Sequence, residues 1–331
     1  MTKTLRGRLS SLRRTVSPPG DRRPSAEPPA NVAPKPAALM PCAPLRLCEI
    51  LLLALPLAAQ HPLAWKDLGG RFELTDHGQP ALVYNYQPQL KEGAPENRRR
   101  CCYIFPLYTP AGVSMLDDFP KDHYHHRGLF WAWPVVETQG KVYDHWMNMT
   151  ALARTVKTPA VEETAQSATL QADNVWVADG KEIVREALRL TAYPAQKDSR
   201  ELEVELTLTA TSAPVTLRGS REQGKSYGGF SARFAPRQGT IVRADGEVLI
   251  KDEDLVPRRW AELEGIYNGK RAVLRITPDP ADLNAPYQWC LRNYGFVGAS
   301  FPGRTASSDG YTLEPGKPLT LKFRVKVTDL P

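Results

Sequence analysis

Residues 200–211 read RELEVELTLTAT, in which Leu202, Val204, Leu206 and Leu208 alternate with Glu203, Glu205 and Thr207. A period of two is that of a strand with one face buried and one face wet. The same texture extends in both directions. NVWVADGKEIVREALRLTAY (174–193) places Asp179-Gly180 between two strand-like runs, and AELEGIYNGKRAVLRI (261–276) does the same with Asn268-Gly269. Both dipeptides suit tight hairpins, whose central residues must take positive φ. GTIVRADGEVLI (239–250) and KPLTLKFRVKVTDL (317–330) add further strands. No long stretch has a 3.6-residue period, no glycine-rich phosphate loop occurs, and no segment repeats at fixed length. The expected fold is all-β, a large antiparallel β-sandwich.

The N-terminal part has a different composition. Residues 1–39 carry eight Lys/Arg against two acids, seven prolines and no aromatic residue, so they cannot bury enough surface to offset chain entropy. They read as a disordered extension or a mis-called start. Their net +6 accounts for most of the chain's +7, leaving about +1 for the remainder and no charge-based case for nucleic acid. From Met40, MPCAPLRLCEILLLALPLAAQ (40–60) combines one arginine, the apolar run Ile50–Leu57 and small residues at Ala58 and Ala59, the layout of a secretory signal. The run is short for a bilayer span, and no spanning run follows it. Residues 62–331 then form a single β-sandwich domain, periplasmic or secreted, with no membrane contact after cleavage.

Three cysteines remain beyond residue 60: Cys101, Cys102 and Cys290. Adjacent cysteines bridge each other only with strain, so buried free thiols are the expectation, and the spacing is not that of a cysteine zinc site.

FPKDHYHHRGLFWAW (119–133) holds three of the six histidines. If extended, it projects His123, His125 and Arg127 to one face and Tyr124 and His126 to the other. Asp122 can orient an imidazole, and His145 in YDHWMNM is placed to return to the same area. This set suits acid–base work by a histidine beside an arginine that clamps an anionic or hydroxylated ligand. The same side chains include enough donors for a metal, though HxHH is not a specific spacing, and histidines hydrogen-bonded in a loop are the plain structural alternative. In REQGKSYGGF (221–230), Arg221 and Lys225 flank Glu222, which should stay ionised, and Gly224, Gly228 and Gly229 permit close backbone approach. Arg233, in phase with Ser231, points to the same side. Of the tryptophans near these blocks, Trp133 and Trp289 are taken as stacking surfaces for a sugar.

YIFPLYTPAGVSMLDDFPKDHYHHRGLFWAW (103–133) resembles the signature D-H-P-H-H-R-G-[LI] of a bacterial exported family labelled "methane oxygenase PmoA", with Tyr124 where proline is usual. SREQGKSYGGFSARFAP, RRWAELEG and ITPDPADLNAPYQWCLRNYG are further similar blocks, so the resemblance spans nearly all of residues 62–331. More weakly, the pattern is similar to the galactose mutarotase-like supersandwiches of aldose epimerases, polysaccharide lyases and sugar-binding domains. That resemblance implies a sheet face that binds sugars, with His125 or His126 as acid and Glu222 as base.

Together these readings make an exported protein acting on a sugar or polyhydroxy ligand by histidine/carboxylate chemistry, through hydrolysis, elimination or epimerisation. No cofactor and no metal are assigned. The partner is a small molecule or oligosaccharide, and the sequence does not specify an oligomeric state. The catalytic candidates are His125, His126 and Glu222; Asp122, His123, Arg127, His145, Arg221, Lys225, Arg233, Trp133 and Trp289 are the binding candidates. A noncatalytic sugar-binding module and a metal-dependent oxidoreductase are the alternatives. A chain begun at Met40 is expected to be processed near Ala59 or Gln60, which N-terminal sequencing of the exported product checks.

Overall fold

The computed structural model describes residues 61–225, 227–304 and 310–331. The extension assigned to 1–39 and the signal assigned to 40–60 lie outside the described residues.

The 200–211 stretch forms the strand Ser199–Ala210 near the middle of a ten-stranded antiparallel sheet. Leu202, Val204, Leu206 and Leu208 are fully buried. Their neighbours face outward in register with Leu319–Leu330: Glu201 pairs with Lys326 at 3.1 Å, Glu203 with Arg324 at 3.2 Å and Glu205 with Lys322 at 3.1 Å. Burial of an aliphatic side chain contributes about 1.5–3 kcal/mol, whereas an exposed ion pair contributes about 0–1 kcal/mol. The inward row therefore stabilises this strand, and the outward row fixes its register. Asp179-Gly180 and Asn268-Gly269 both take positive φ (48° and 75°, 51° and 79°) at the tips of antiparallel hairpins, as their sequence requires.

The second sheet has nine strands. Its order runs from Leu63–Asp67 through Arg71–Asp76, Gln79–Asn85, Tyr103–Leu107, Leu129–Ala132, Gly229–Arg233, Phe296–Ser300 and Gln288–Arg292 to Glu253–Pro257. A smaller four-stranded sheet comprises Tyr311–Leu313, Val215–Arg218, Val135–Thr138 and Lys141–Tyr143. The only helical element among the described residues is the 3-10 turn Glu96–Arg98. The fold is thus an all-β antiparallel sandwich.

The core fills the space between the two large sheets, with Trp131 and Phe230 from one meeting Trp176 and Phe323 from the other. Phe230 and Phe323 stack with ring centroids 4.4 Å apart. Glu186 is a buried carboxylate within this layer. It accepts hydrogen bonds from the indole N–H groups of Trp131 (2.9 Å) and Trp176 (2.8 Å) and from Asn174 Nδ2 (2.8 Å), and burial raises its pKa. These bonds tie the two sheets together.

Strand alternation also builds a second, smaller apolar cluster on the outer face of the nine-stranded sheet. Leu129 and Trp131 point inward, while Phe130 and Ala132 point outward to join Tyr103, Trp146, Cys290 and Phe296. The histidine-bearing loop lies over this outer cluster. Gly128 connects the loop to Leu129–Ala132, and a Cβ there would run into the Ile104 carbonyl and sit 2.9 Å from Phe105 Cβ. Gly128→Ala is expected to lower stability by about 1–3 kcal/mol, an overpacking cost, read from urea denaturation midpoints.

Candidate functional site

The segment 119–127 is a loop of two successive turns, not a strand. His123 N–H donates to the Pro120 carbonyl at 3.0 Å and His126 N–H to the His123 carbonyl at 2.8 Å. The expected alternation therefore fails, because turn hydrogen bonds between residues three apart replace the strand period. All three imidazoles gather on one side. His123 stacks parallel on His126 with centroids 4.6 Å apart and on Tyr294 at 5.5 Å, while His125 meets His126 edge-on at 4.5 Å. His126 continues the stack onto Phe296, with centroids 5.0 Å apart.

Arg127 has a different role from the ligand clamp expected of it. Its side chain is fully buried beneath the loop, donates to the carbonyls of Tyr124 (2.6 Å), His126 (2.7 Å) and Arg98, and lies 3.4 Å over the Phe119 ring. Asp118 is its ionic partner at 3.6 Å. Burial pushes the Asp118 carboxyl up to about 6 against the pull of Arg127, and pushes Arg127 itself down to about 10. An arginine committed to two carbonyls of its own loop and to that of Arg98 holds the loop's shape and leaves its guanidinium turned away from the cavity.

His123, His125, His126, Glu222, Lys225, Cys290, Arg292, Tyr294, Phe296 and the segment Trp146, Met147 and Tyr227 enclose a cavity of 350 Å³ on the outer face of the nine-stranded sheet. Five of the sequence candidates thus meet there. Asp122 and Arg233 stand directly behind: Arg233 Nη2 donates to both Asp122 oxygens at 2.8 and 2.7 Å, Asp122 pairs with His123 Nδ1 at 3.0 Å, and Arg233 covers the Tyr294 ring at 4.8 Å. They orient the wall without forming it.

Four other candidates lie elsewhere. His145 is buried in the interior with Trp133 and Trp176, 4.2 Å from the Trp176 centroid. Trp133 and Trp289 are core residues, their indole N–H groups bonded to the carbonyls of Phe301 (2.8 Å) and Arg258 (2.7 Å). Trp289 occupies the inward phase of Gln288–Arg292, and Trp133 continues that of Leu129–Ala132 just past its end, which precludes a role as outer stacking surfaces. Arg221 is exposed and faces Glu137 at 3.9 Å. Conversely, Tyr227, Arg292 and Tyr294 line the cavity without having been singled out, and Trp146, one of the tryptophans near the quoted blocks, joins them in place of Trp133 and Trp289. Alternation within WCLRNYGF, where Cys290, Arg292 and Phe296 share the outward phase, was the available signal.

The cavity divides electrostatically. On one side His125 and His126 are neutral. Burial first, then the neighbouring His123 and the cations Arg100, Arg98 and Arg127, bring His125 down to about 3, and His126 falls well below its ordinary value for similar reasons. On the other side Glu222 stays ionised, since Lys225 and the Tyr227 hydroxyl (2.7 Å) both donate to it. Burial and the facing carboxylate push Tyr227 up to about 12, so it keeps its proton. The Cys290 thiol, pushed up to about 12 chiefly by burial, is inert at neutral pH. Among the described residues no group of three His, Cys, Asp or Glu side chains is placed to hold a metal ion. The three imidazoles meet through their ring faces and edges.

Two other depressions, of 410 and 680 Å³, lie on the outer face of the ten-stranded sheet. They are larger, but their walls include the cross-strand ion pairs Glu203–Arg324 and Glu205–Lys322, which serve register.

Residues 71–330 match a family described as a family of unknown function, DUF6807. No curated protein matches the chain. Among solved structures, the chain is similar to a putative aldose 1-epimerase from Escherichia coli K12, with 12% sequence identity, a TM-score of 0.38, and coverage of 81% of this chain and 99% of that one. At that score the likeness assigns no residue roles. Neither comparison names a methane oxygenase.

A depressed histidine pKa sets a pH dependence. The unfolded chain takes up protons below about 6.5 while a buried neutral imidazole does not, so stability falls as pH drops below that value, by up to about 1.4 kcal/mol per unit for each such group. His145, whose burial holds its pKa far down, is one of them. Between pH 6.5 and 5 the stability of His145→Phe is expected to fall less steeply than that of the wild type, by about that slope, in urea titrations run in parallel. Equal slopes would show that His145 does not titrate on unfolding.

Proposed function

The chain belongs to DUF6807, a family of unknown function, and we propose that it binds a sugar-like polyhydroxy ligand in the histidine-lined cavity and exchanges protons with it through Glu222 and Tyr227. The observation that carries this reading is the carboxylate–phenol pair, 2.7 Å apart, at the rim of a 350 Å³ cavity also lined by the neutral imidazoles of His125 and His126 and the rings of Trp146, Tyr294 and Phe296.

Each part has a chemical use. The faces of Trp146, Tyr294 and Phe296 suit the apolar faces of a sugar ring. Neutral imidazoles offer one N–H and one lone pair each, which matches hydroxyl groups better than two N–H donors would. Glu222, ionised, accepts a proton; Tyr227, still protonated at neutral pH, supplies one. Hydrolysis, elimination and epimerisation all require such a pair.

The role of His125 shifts accordingly. With a pKa of about 3, only about one His125 in ten thousand is protonated at pH 7. The acid assigned to a histidine by resemblance is better supplied by Tyr227, and His125 and His126 become recognition groups. Glu222 remains the base. Export, argued from residues 40–60, belongs to the same proposal.

Calorimetric titration with mono- and oligosaccharides identifies the ligand, and turnover in deuterated water follows proton exchange by NMR. Glu222→Gln and Tyr227→Phe are expected to slow deuterium incorporation by about 10²–10⁴-fold while binding persists. Undiminished exchange in both variants would remove them from the chemistry. Binding by the wild type without exchange or product would favour a noncatalytic sugar-binding module, the reading that the low basicity of His125 also suits.

A further inference from the structure

The strand Tyr103–Leu107 is preceded by two adjacent cysteines whose side chains do not alternate. Successive residues of an extended chain point to opposite faces. Cys102, however, takes a left-handed φ of 64°, with its N–H held at 2.7 Å by the Asn85 carbonyl. That kink turns both thiols the same way. Their sulfurs lie 3.1 Å apart, Cys101 Sγ against the Ala153 carbonyl at 3.1 Å and Cys102 Sγ beside Thr155 Oγ1 at 3.6 Å. The left-handed region is uncommon for a residue with a Cβ, so the arrangement has a conformational cost that simple packing of two thiols does not require.

We propose that Cys101 and Cys102 are a redox site that closes to a vicinal disulfide. The co-reactant is a disulfide, either a small one such as oxidised glutathione or that of a dithiol oxidoreductase. Cys101 as thiolate attacks it, forming a mixed disulfide and releasing one thiol; Cys102, losing its proton, then displaces the second thiol and the intramolecular S–S bond forms. The two cysteines lose two electrons and two protons, and the disulfide under attack gains them as two thiols. Two features favour Cys101 as the attacking group. The contact with the Cys102 sulfur and the nearby Arg100 guanidinium hold the Cys101 thiol below its ordinary value, while burial raises that of Cys102. Adjacent Cα atoms are about 3.8 Å apart, closer than most disulfides tolerate, so the bond is one that a thiol reductant readily opens.

The pair is only 1% and 3% exposed, so the reaction needs an opening. The covering strand Ala151–Thr155 is the short end of the ten-stranded sheet order and pairs along one side, with Ala168–Ala178. Edge strands open locally at less cost than central ones. The site also adjoins the cavity: Arg100, beside Cys101 in sequence, donates to the carbonyls of Trp131 (3.1 Å) and Trp146 (3.2 Å), and Trp146 lines the cavity.

Tryptic mapping tests this cleanly, because cleavage after Arg100 and Lys121 yields a peptide carrying both residues and no other cysteine. Full-length protein is equilibrated with oxidised or reduced glutathione, unfolded in acid denaturant with an alkylating agent, and digested. The peptide is expected two hydrogens lighter and unalkylated from the oxidised sample, and doubly alkylated from the reduced one. Double alkylation in both samples, or a cross-link to the Cys290 peptide, would overturn the proposal. In Cys102→Ser the resolving thiol is gone, and Cys101 is expected to retain glutathione; a free Cys101 in that variant would overturn the assigned order of attack.

Discussion

The candidate site depends on one buried cation. Arg127 holds three carbonyls, those of Arg98, Tyr124 and His126, with Asp118 as its ionic partner and Phe119 against its face. A guanidinium buried this way is stable only because both of its Nη atoms donate to carbonyls and its charge is opposed. The loop is shaped around that requirement. With the Tyr124 and His126 carbonyls drawn inward, the His126 imidazole packs on Phe130, Trp146 and Phe296, His125 reaches Trp146, and His123 stacks on His126 and Tyr294.

A sandwich whose strands alternate cleanly has two faces per sheet, and here both faces of the nine-stranded sheet are used. The inner face packs through Trp131 and Phe230, and Glu186 fastens it to the other sheet by accepting two indole N–H groups. The outer face of the same strands carries Phe130, Cys290 and Phe296, which would be an apolar patch on a bare sheet. The loop 119–127 and Trp146 cover it, and the remaining gap is the cavity. Rigid strands beneath a pinned loop place functional groups on a scaffold that cannot relax far, as a binding site requires.

Burial and charge then divide the labour within the cavity. Burial, and then the neighbouring imidazoles and arginines, keep His125 and His126 unprotonated, because a further cation there is unfavourable. Glu222 and Tyr227, nearer to solvent, keep the forms that proton transfer needs. In the proposed reading, His125 and His126 supply neutral recognition groups, and the proton exchange falls to Glu222 and Tyr227 from a glycine-rich turn far along the chain.

The sandwich was legible in the sequence because its signal is local. RELEVELTLTAT alternates residue by residue, and Asp179-Gly180 and Asn268-Gly269 carry their turn chemistry in adjacent positions. The grouping of three histidines in a short span was also legible, as was the nearness of Glu222 to Lys225; that all five line one cavity was not. The direction of those side chains was not. His125 and Arg127 were read as sharing a face because a strand period was assumed, whereas turns bonded to Pro120 and His123 set the angles, and the buried Arg127 selects those turns through a carbonyl at Arg98. The same holds for Trp133, Trp289 and His145, whose types suit a ligand but whose strand phase or interior packing commits them to the core. Period and turn type are properties of neighbouring residues, so sequence determines them; which polar group meets which cation across 29 or 111 residues is decided only when the sheets close and burial makes an unpaired charge too costly to keep.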